Sequence, residues 1–557
     1  MVIDKSVFYL VVAEEYLMRA SGVLLPVSSL PSKYGIGCFS KDAMQFIDKL
    51  VRAGQSKWQV LPLGPTGYGD SPYQPFSTFA GNPYFIDLET LTEEGLLKKE
   101  ECEYYNWGGN ARFVDYGAIY NARYLALRKA FERFMKKAES EDRKAFLLFC
   151  EQEKEWLEDY CLFIAIKKSQ KDVIWTKWDE KLRARDEKVL AEKKEELKEE
   201  IQFYSFIQYE FDKQWKMVKA YANEKGVKII GDLPIYVSLD SADAWANPKL
   251  FQVDEDCLPT AVAGCPPDAF SKTGQLWGNP LYDWDYHKET GYQWWVRRMK
   301  RSFQLYDTVR VDHFRAFAEY YSIPADEETA MNGKWMPGPG IALFQTIEKE
   351  LGQVDVIAED LGTLDQKVFD LMDETGYPGM KVLQFAFDSG ADNMYLPHNH
   401  KKNCVVYTGT HDNDTTNSWY SLLNKKVKHF VQSYLNNFDR KAEKVAWDFI
   451  RAAMGSVADL AVIPMGDLLC CGNEGRINHP STTQGNWQWR MLDGEFSEEV
   501  VQKLRWITGT YGRLPEVEKK EVEEENSLEK EKETQTIVTD TTEAVVKEQE
   551  VLKDKME

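Results

Sequence analysis

The sequence predicts an α/β protein built as a (β/α)8 TIM barrel with large helical and loop insertions, and three observations carry that expectation. Eight short apolar segments recur along the chain and read as buried strands, most of them separated by stretches long enough for a helix. Acidic residues stand just past the carboxyl end of six of the eight, and in this architecture that end carries the active site. The length of 557 residues accommodates one barrel with insertions.

The first strand is expected over residues 22–27, followed by a Ser/Pro/Gly loop and a helix over about 41–53. The second, 57–61, runs into PLGPTGYGDSPYQPFSTFAGNPYF, where Pro and Gly forbid regular structure but Tyr68, Tyr73, Phe76 and Tyr84 are frequent. A loop that long is either functional or disordered, and its aromatic content argues against disorder. From about 91 to 221 the pattern changes to charged segments with helical spacing, a mainly helical insertion whose charge runs read most simply as solvated faces. The strands then resume. Residues 227–231 end at Asp232, 308–311 at Asp312, and 355–358 at Glu359 and Asp360. Residues 380–387 end at Asp388, 404–408 at His411 and Asp412, and 460–464 near Asp467.

These elements divide the chain into an N-terminal extension (1–20), a catalytic barrel (21–515) and an acidic tail (516–557). The tail holds fifteen acids and seven Lys with no aromatic residue and no Gly, so it cannot bury enough apolar surface to offset its ordering entropy and is read as disordered or loosely helical, outside the catalytic unit.

Hydrophobic residues make up 43% of the chain, enough for most of it to fold around a core. A formal net charge of −21 argues against nucleic acid or an anionic membrane as partner, since both need basic surfaces. Nine scattered Cys, without C-x-x-C spacing, point to a reducing compartment and to no zinc site. The apolar run at 7–13 is short and flanked by Asp4, Glu14 and Glu15, which does not make a signal peptide, and no run approaches a membrane span. A cytoplasmic protein is expected.

Several anions at one barrel mouth can hold a metal, exchange protons or form covalent intermediates. A metal site would want His at ligand spacing, and the one tight pair, His398 and His400, lies outside a strand. No phosphate-binding Gly-rich turn and no G-x-S-x-G elbow is present. Carboxylate chemistry remains. Retaining glycoside cleavage needs an ionised nucleophile and a protonated acid, about 5–5.5 Å apart. In TVRVD, Arg310 and Asp312 fall on one face of a strand, and the cation favours an ionised Asp312. The same pair also reads as a structural ion pair. Glu359 and Asp360 adjoin, and like charges raise one pKa of such a pair, so either residue can serve as the acid. Asp412, in GTHDND beside the hydrogen-bonding His411, offers a third carboxylate.

Three segments, VRVDHFRAF, VIAEDLG and YTGTHDNDTT, resemble the catalytic segments of the 4-α-glucanotransferases, the amylomaltases or disproportionating enzymes within the α-amylase-like barrels. The likeness also covers SPYQPFSTFAGNPY, GDLPIYV, DSADAW, VAGCPPDAFSKTGQLWGNPLYDW and GRINHPSTTQGNWQWR, and so extends over about 21–514. It implies Asp312 as nucleophile, Glu359 as general acid/base and Asp412 as transition-state stabiliser. It implies substrate contacts from Arg310, His313, His411 and Asp388, with Tyr73, Asp268 and Trp277 along the cleft and Asn478 near its rim. The expected partners are α-1,4-glucans and maltooligosaccharides, with glucose or a glucan as acceptor, and no metal or organic cofactor. A retaining hydrolase of the α-amylase type and a non-catalytic glucan-binding barrel are the alternatives. The second is disfavoured because all three carboxylates are present.

Deletion of residues 516–557 is expected to leave activity and melting temperature nearly unchanged, because such a segment has no means of joining the core. Calorimetry of the truncated chain checks this, and a fall of several degrees would show that the tail docks.

Overall fold

The structure is a computed structural model, and it describes residues 19–67, 69–136, 141–267, 271–438 and 444–515. The tail over 516–557, the first 18 residues, Tyr68 and Asp268 lie outside the described residues. The strands are β1 (Ala20–Leu24), β2 (Lys57–Gln59), β3 (Lys228–Leu233), β4 (Ala261–Cys265), β5 (Gln275–Pro280) and β6 (Thr308–Val311). They continue as β7 (Glu319–Pro324), β8 (Lys334–Pro337), β9 (Val356–Ala358), β10 (Gly379–Val382), β11 (Cys404–Tyr407) and β12 (Leu460–Pro464).

Eight of these close into a barrel in the order β1-β12-β11-β10-β9-β6-β3-β2, every pair parallel. They are the eight segments expected from the sequence, with most boundaries shifted by one or two residues, β3 running on through Asp232 to Leu233, and the first and the 380–387 segments changed most. The first strand starts at Ala20, opposite Leu460, and stops at Leu24, because Pro26 has no amide hydrogen to donate and Val27–Ser29 turns into a 3-10 helix. The segment expected over 380–387 leaves the sheet after Val382. There Leu383–Phe385 coils into a 3-10 turn, and the Gln384 amide donates to the Asp414 carbonyl at 2.9 Å.

The period of two along each strand sorts side chains between the lumen and the outer helices. Ile230, Ile357, Met380, Val382, Val405, Tyr407 and Val462 form one apolar cluster inside the barrel, while Val309, Val311, Val356, Ala358 and Val406 belong to the larger core outside it. Arg310 stands in register with Asp232 on one side and with Ile357 on the other, so all three face the lumen at one level.

β4, β5, β7 and β8 make a separate antiparallel sheet in the order β5-β4-β7-β8, which the sequence pattern did not disclose. Its strands are short and sit inside connections read as loops, and β4 meets β7 across about sixty residues of chain. Helices occupy most of the stretch from Leu88 to Glu224, the longest being Lys198–Glu224. That helix is fastened to the barrel loops by buried amides: the Gln208 side chain accepts from Gly81 N–H at 2.6 Å and donates to its carbonyl at 2.9 Å. Gly81 is required there, since a Cβ would lie 2.2 Å from the Phe211 ring.

Gly231 in β3 faces the Tyr306 ring, whose atoms a Cβ would approach to 2.1 Å. Gly231→Ala therefore has to displace a buried aromatic side chain, and a loss of about 1–3 kcal/mol is expected from overpacking. Chemical denaturation of the variant measures it.

Candidate active site

The site is assembled where β3, β6 and β9 end. Continuing the alternation past Val311 puts Asp312 on the lumen side with Thr308 and Arg310. Continuing it past Ala358 puts Glu359 on the lumen side and Asp360 on the outer side. The hydrogen bonds agree. Asp360 is taken up by the Met380 N–H at 2.6 Å and by the Lys381 ammonium at 3.2 Å, in space left open by Gly379, where a Cβ would lie 2.5 Å from its oxygen. Glu359 instead accepts two backbone amides, His313 N–H on Oε2 at 2.7 Å and Leu361 N–H on Oε1 at 2.8 Å. The first of these depends on His313 adopting a left-handed conformation (φ 50°), which turns the chain immediately after Asp312 and directs its N–H at the carboxylate.

Arg310 is buried, and its Nη1 meets both oxygens of Asp232 at 2.7 Å and Asp312 Oδ1 at 3.2 Å. The Tyr73 hydroxyl donates to Asp232 Oδ2 at 2.8 Å. The cation that the sequence assigns to Asp312 is thus committed first to Asp232. Burial pushes the Asp312 carboxyl well above its ordinary value, Arg310 opposes this, and Asp232, Glu359 and Asp412 reinforce it. Burial raises Glu359 as well, against Arg310 and its two amide donors. Two such neighbours release protons in steps that belong to the pair. Burial and crowding together favour retention of a proton by the pair at pH values where isolated carboxyls are ionised.

Asp412, on the loop after β11, accepts from Asn478 Nδ2 at 2.7 Å and lies 3.4 Å from His411 Nε2. Arg476 donates to its carbonyl at 3.0 Å, so the 476–478 segment buttresses this carboxylate from behind. The His411 ring is stacked on Tyr73 at 5.1 Å, and burial lowers its pKa, which keeps it neutral. His313, also held neutral by burial (about 3), meets the Trp277 ring edge-on at 4.9 Å.

Of the residues singled out in the sequence, Arg310, Asp312, His313, Glu359, His411, Asp412, Tyr73, Asn478 and Trp277 come together through these contacts. Asp388 is exposed on the loop after β10, with its carboxylate accepting from Asn393 at 2.9 Å, and Tyr395 lies within the electrostatic reach of both Asp388 and Glu359. Asp467 is outside the cluster: its oxygens take the Thr416 amide at 2.7 Å and the Thr416 and Thr408 hydroxyls. Two residues were missed. Asp232 was visible as an acid closing a strand, but its link to Arg310 is a matter of strand register. Trp487, whose ring lies 5.7 Å from Tyr73 and 6.1 Å from His411, sits in the GNWQWR run with no local sign of its neighbours. Among the described residues no group of three or more His, Cys, Asp or Glu is disposed to hold a metal ion, and no helix is long and apolar enough to cross a membrane.

The family model described as 4-alpha-glucanotransferase matches residues 25–495. The chain belongs to that family. It is 48% identical over 489 residues to the 4-alpha-glucanotransferase of Clostridium butyricum, covering 87% of this chain and 99% of that one. It is likewise 48% identical over 503 residues to that of Thermus thermophilus, covering 89% and 100%. Among solved structures, an amylomaltase from Streptococcus agalactiae in complex with acarbose superposes with a TM-score of 0.86 at 41% identity, covering 89% of this chain and all of that one. The 4-alpha-glucanotransferase fold is therefore the fold of this chain.

Asp232→Asn removes one of the like charges that raise Asp312 and frees Arg310 for it, and both changes lower the acid pair. The acidic limb of the activity profile is expected to move to lower pH, alongside a reduced maximum rate. Measuring kcat/KM against pH for parent and variant checks the direction.

Proposed function

We propose that the protein acts as a 4-alpha-glucanotransferase by double displacement, with Asp312 as nucleophile, Glu359 as general acid and base, and Asp412 as stabiliser of the positive charge that develops on the sugar. The observation that carries the proposal is the pairing of Asp312 and Glu359 on the lumen side of adjacent strands, with Asp360 withdrawn to Lys381.

In the first step the Asp312 carboxylate attacks the anomeric carbon while Glu359 gives its proton to the departing glycosidic oxygen, leaving a glycosyl ester on Asp312 and a carboxylate on Glu359. In the second step Glu359 takes the proton from the 4-hydroxyl of an acceptor glucose or glucan. The oxygen so activated displaces Asp312, restoring both carboxyl groups to their starting states. Two inversions at one carbon return the α configuration. Asp412, exposed to the cleft yet held by Asn478, is suited to sugar hydroxyls and to the charge of the oxocarbenium-like transition state. The ring cluster of Tyr73, His411 and Trp487 supports the reading of a saccharide cleft, because flat amphipathic faces suit sugar rings. Glycosyl transfer in preference to hydrolysis rests on family membership.

Incubation with maltotriose should produce glucose together with a ladder of longer glucans, whereas shorter sugars alone would mean hydrolysis. In Glu359→Ala the nucleophile is intact and the base is missing. Maltosyl fluoride, whose leaving group needs little protonation, should therefore load this variant with a glycosyl adduct that persists. Intact-protein and peptide mass spectrometry should map the adduct to Asp312, and an adduct at Asp360 or Asp412 would reassign the roles.

A further inference from the structure

Arg315 lies one short turn beyond Asp312, in the 3-10 helix Phe314–Phe317, and it is a buried charge with incomplete compensation. Its Nη1 donates to the Thr363 carbonyl, its Nη2 reaches Asp365 only at 3.5 Å, and its Nε has no partner. The guanidinium carbon sits 3.7 Å over the ring of Trp335, a residue of β8 in the antiparallel sheet. A cation taken out of water on such terms costs stability, so stability alone does not account for it.

Its connections do. Thr363 is two residues past Leu361, and Arg315 is two residues past His313, the two residues whose N–H groups hold Glu359. The contacts close a ring. From Glu359 Oε2 it runs to His313 N–H, along the chain to Arg315, across to the Thr363 carbonyl, back through Gly362 (φ 90°) to Leu361 N–H, and so to Oε1. Asp365, the more distant partner, caps the helix Gln366–Thr375 through the Lys367 and Val368 amides, which anchors the far side of the loop.

We propose that Arg315 is a positioning residue for the acid/base step: by clamping the His313 turn to the loop at 361–365, with Trp335 backing the clamp, it fixes both backbone donors on Glu359 and hence the direction in which that carboxyl presents its proton. This rests on the assignment of Glu359 as acid and base. Both backbone bonds favour the ionised carboxylate, so loosening them raises Glu359 and makes it a weaker acid. The other charged or titratable groups acting on it among the described residues are Arg310 of β6, Asp312 just past that strand, Asp360 beside it on its own segment, and Tyr395 from the loop after β10. None of these touches Arg315 through a described hydrogen bond or ion pair, so a change at Arg315 reaches Glu359 through the two amides.

The test is Arg315→Met, which keeps an apolar stem against Trp335 but removes the Thr363 bond, with Arg315→Lys as the conservative partner. For maltotriose, where the leaving oxygen needs a proton, kcat should fall about 100-fold in Arg315→Met, the scale of a displacement of roughly 1 Å, with KM little changed. The alkaline limb of its pH profile should move upward. Glycosyl-enzyme formation from maltosyl fluoride, followed by the burst of fluoride, should stay close to the parent rate, and Arg315→Lys should recover part of the maltotriose rate. Equal losses with both substrates, or an unshifted alkaline limb, would overturn the positioning role and leave a purely structural one. Trp335→Leu provides a second variant should Arg315→Met fold poorly, and it should show the same leaving-group dependence in milder form. A parent chain that forms no longer glucans from maltotriose would instead sink the functional reading itself, so the two failures are distinguishable.

Discussion

The ion pair between Asp232 and Arg310 is the constraint on which the rest of the site depends. Both side chains face the barrel lumen from neighbouring strands, in register, with side-chain exposures of 0% and 4%. Removing one partner of such a pair strands a charge in the interior, at about 3–5 kcal/mol by general experience. Burial of this kind persists in a protein when the charge has a use. Among the described residues Arg310 is the cation in direct contact with the lumen acids Asp232 and Asp312, and Asp232 holds it level with the base of Asp312 while the Tyr73 hydroxyl caps the arrangement. A layer that would otherwise be packed with aliphatic side chains, like the Ile357 and Met380 positions beside it, becomes a charged floor for the chemistry above.

That floor explains the protonation of the acids better than a simple pairing of Arg310 with Asp312. Two carboxylates, Asp232 and Asp312, contact one guanidinium, and Glu359 and Asp412 add their charge at Asp312. Burial together with the excess of negative charge favours the protonated forms, and the mutual repulsion of Asp312 and Glu359 separates the loss of their protons into two steps. The raised protonation of both carboxyls follows first from burial and then from crowding, and belongs to the pair rather than to either residue. Backbone geometry then refines it, since a left-handed His313 and the Leu361 amide are both spent on Glu359.

The groups proposed to react and those proposed to bind sugar sit on different kinds of support. Asp312 and Glu359 follow directly from strands whose amides are locked in the barrel, with Glu359 N–H on Val311 and Asp312 N–H on Leu233. Tyr73, Trp277, Asn478 and Trp487 come from loops or from the small antiparallel sheet, and they reach the site through ring contacts and single hydrogen bonds. Strand ends that fix some side chains and loops that bring in others are what a (β/α)8 barrel supplies.

The amino-acid sequence by itself determined the eight barrel strands and the end of the barrel where function resides, because both are written in local patterns: short apolar runs and the acids that close them. It also reached the three carboxylates Asp312, Glu359 and Asp412 through those strand ends and a family likeness. It could not choose between Glu359 and Asp360 on chemistry alone, since two adjoining acids look equivalent until a strand direction assigns one to the lumen and the other to Lys381. Nor did it place the antiparallel sheet, whose pairing joins segments far apart in the chain. The partner of Arg310 was likewise hidden. Asp312 is its neighbour on the strand, but the shear of the barrel sets Asp232 directly opposite, seventy-eight residues away, and only closure of the sheet brings those two charges to 2.7 Å.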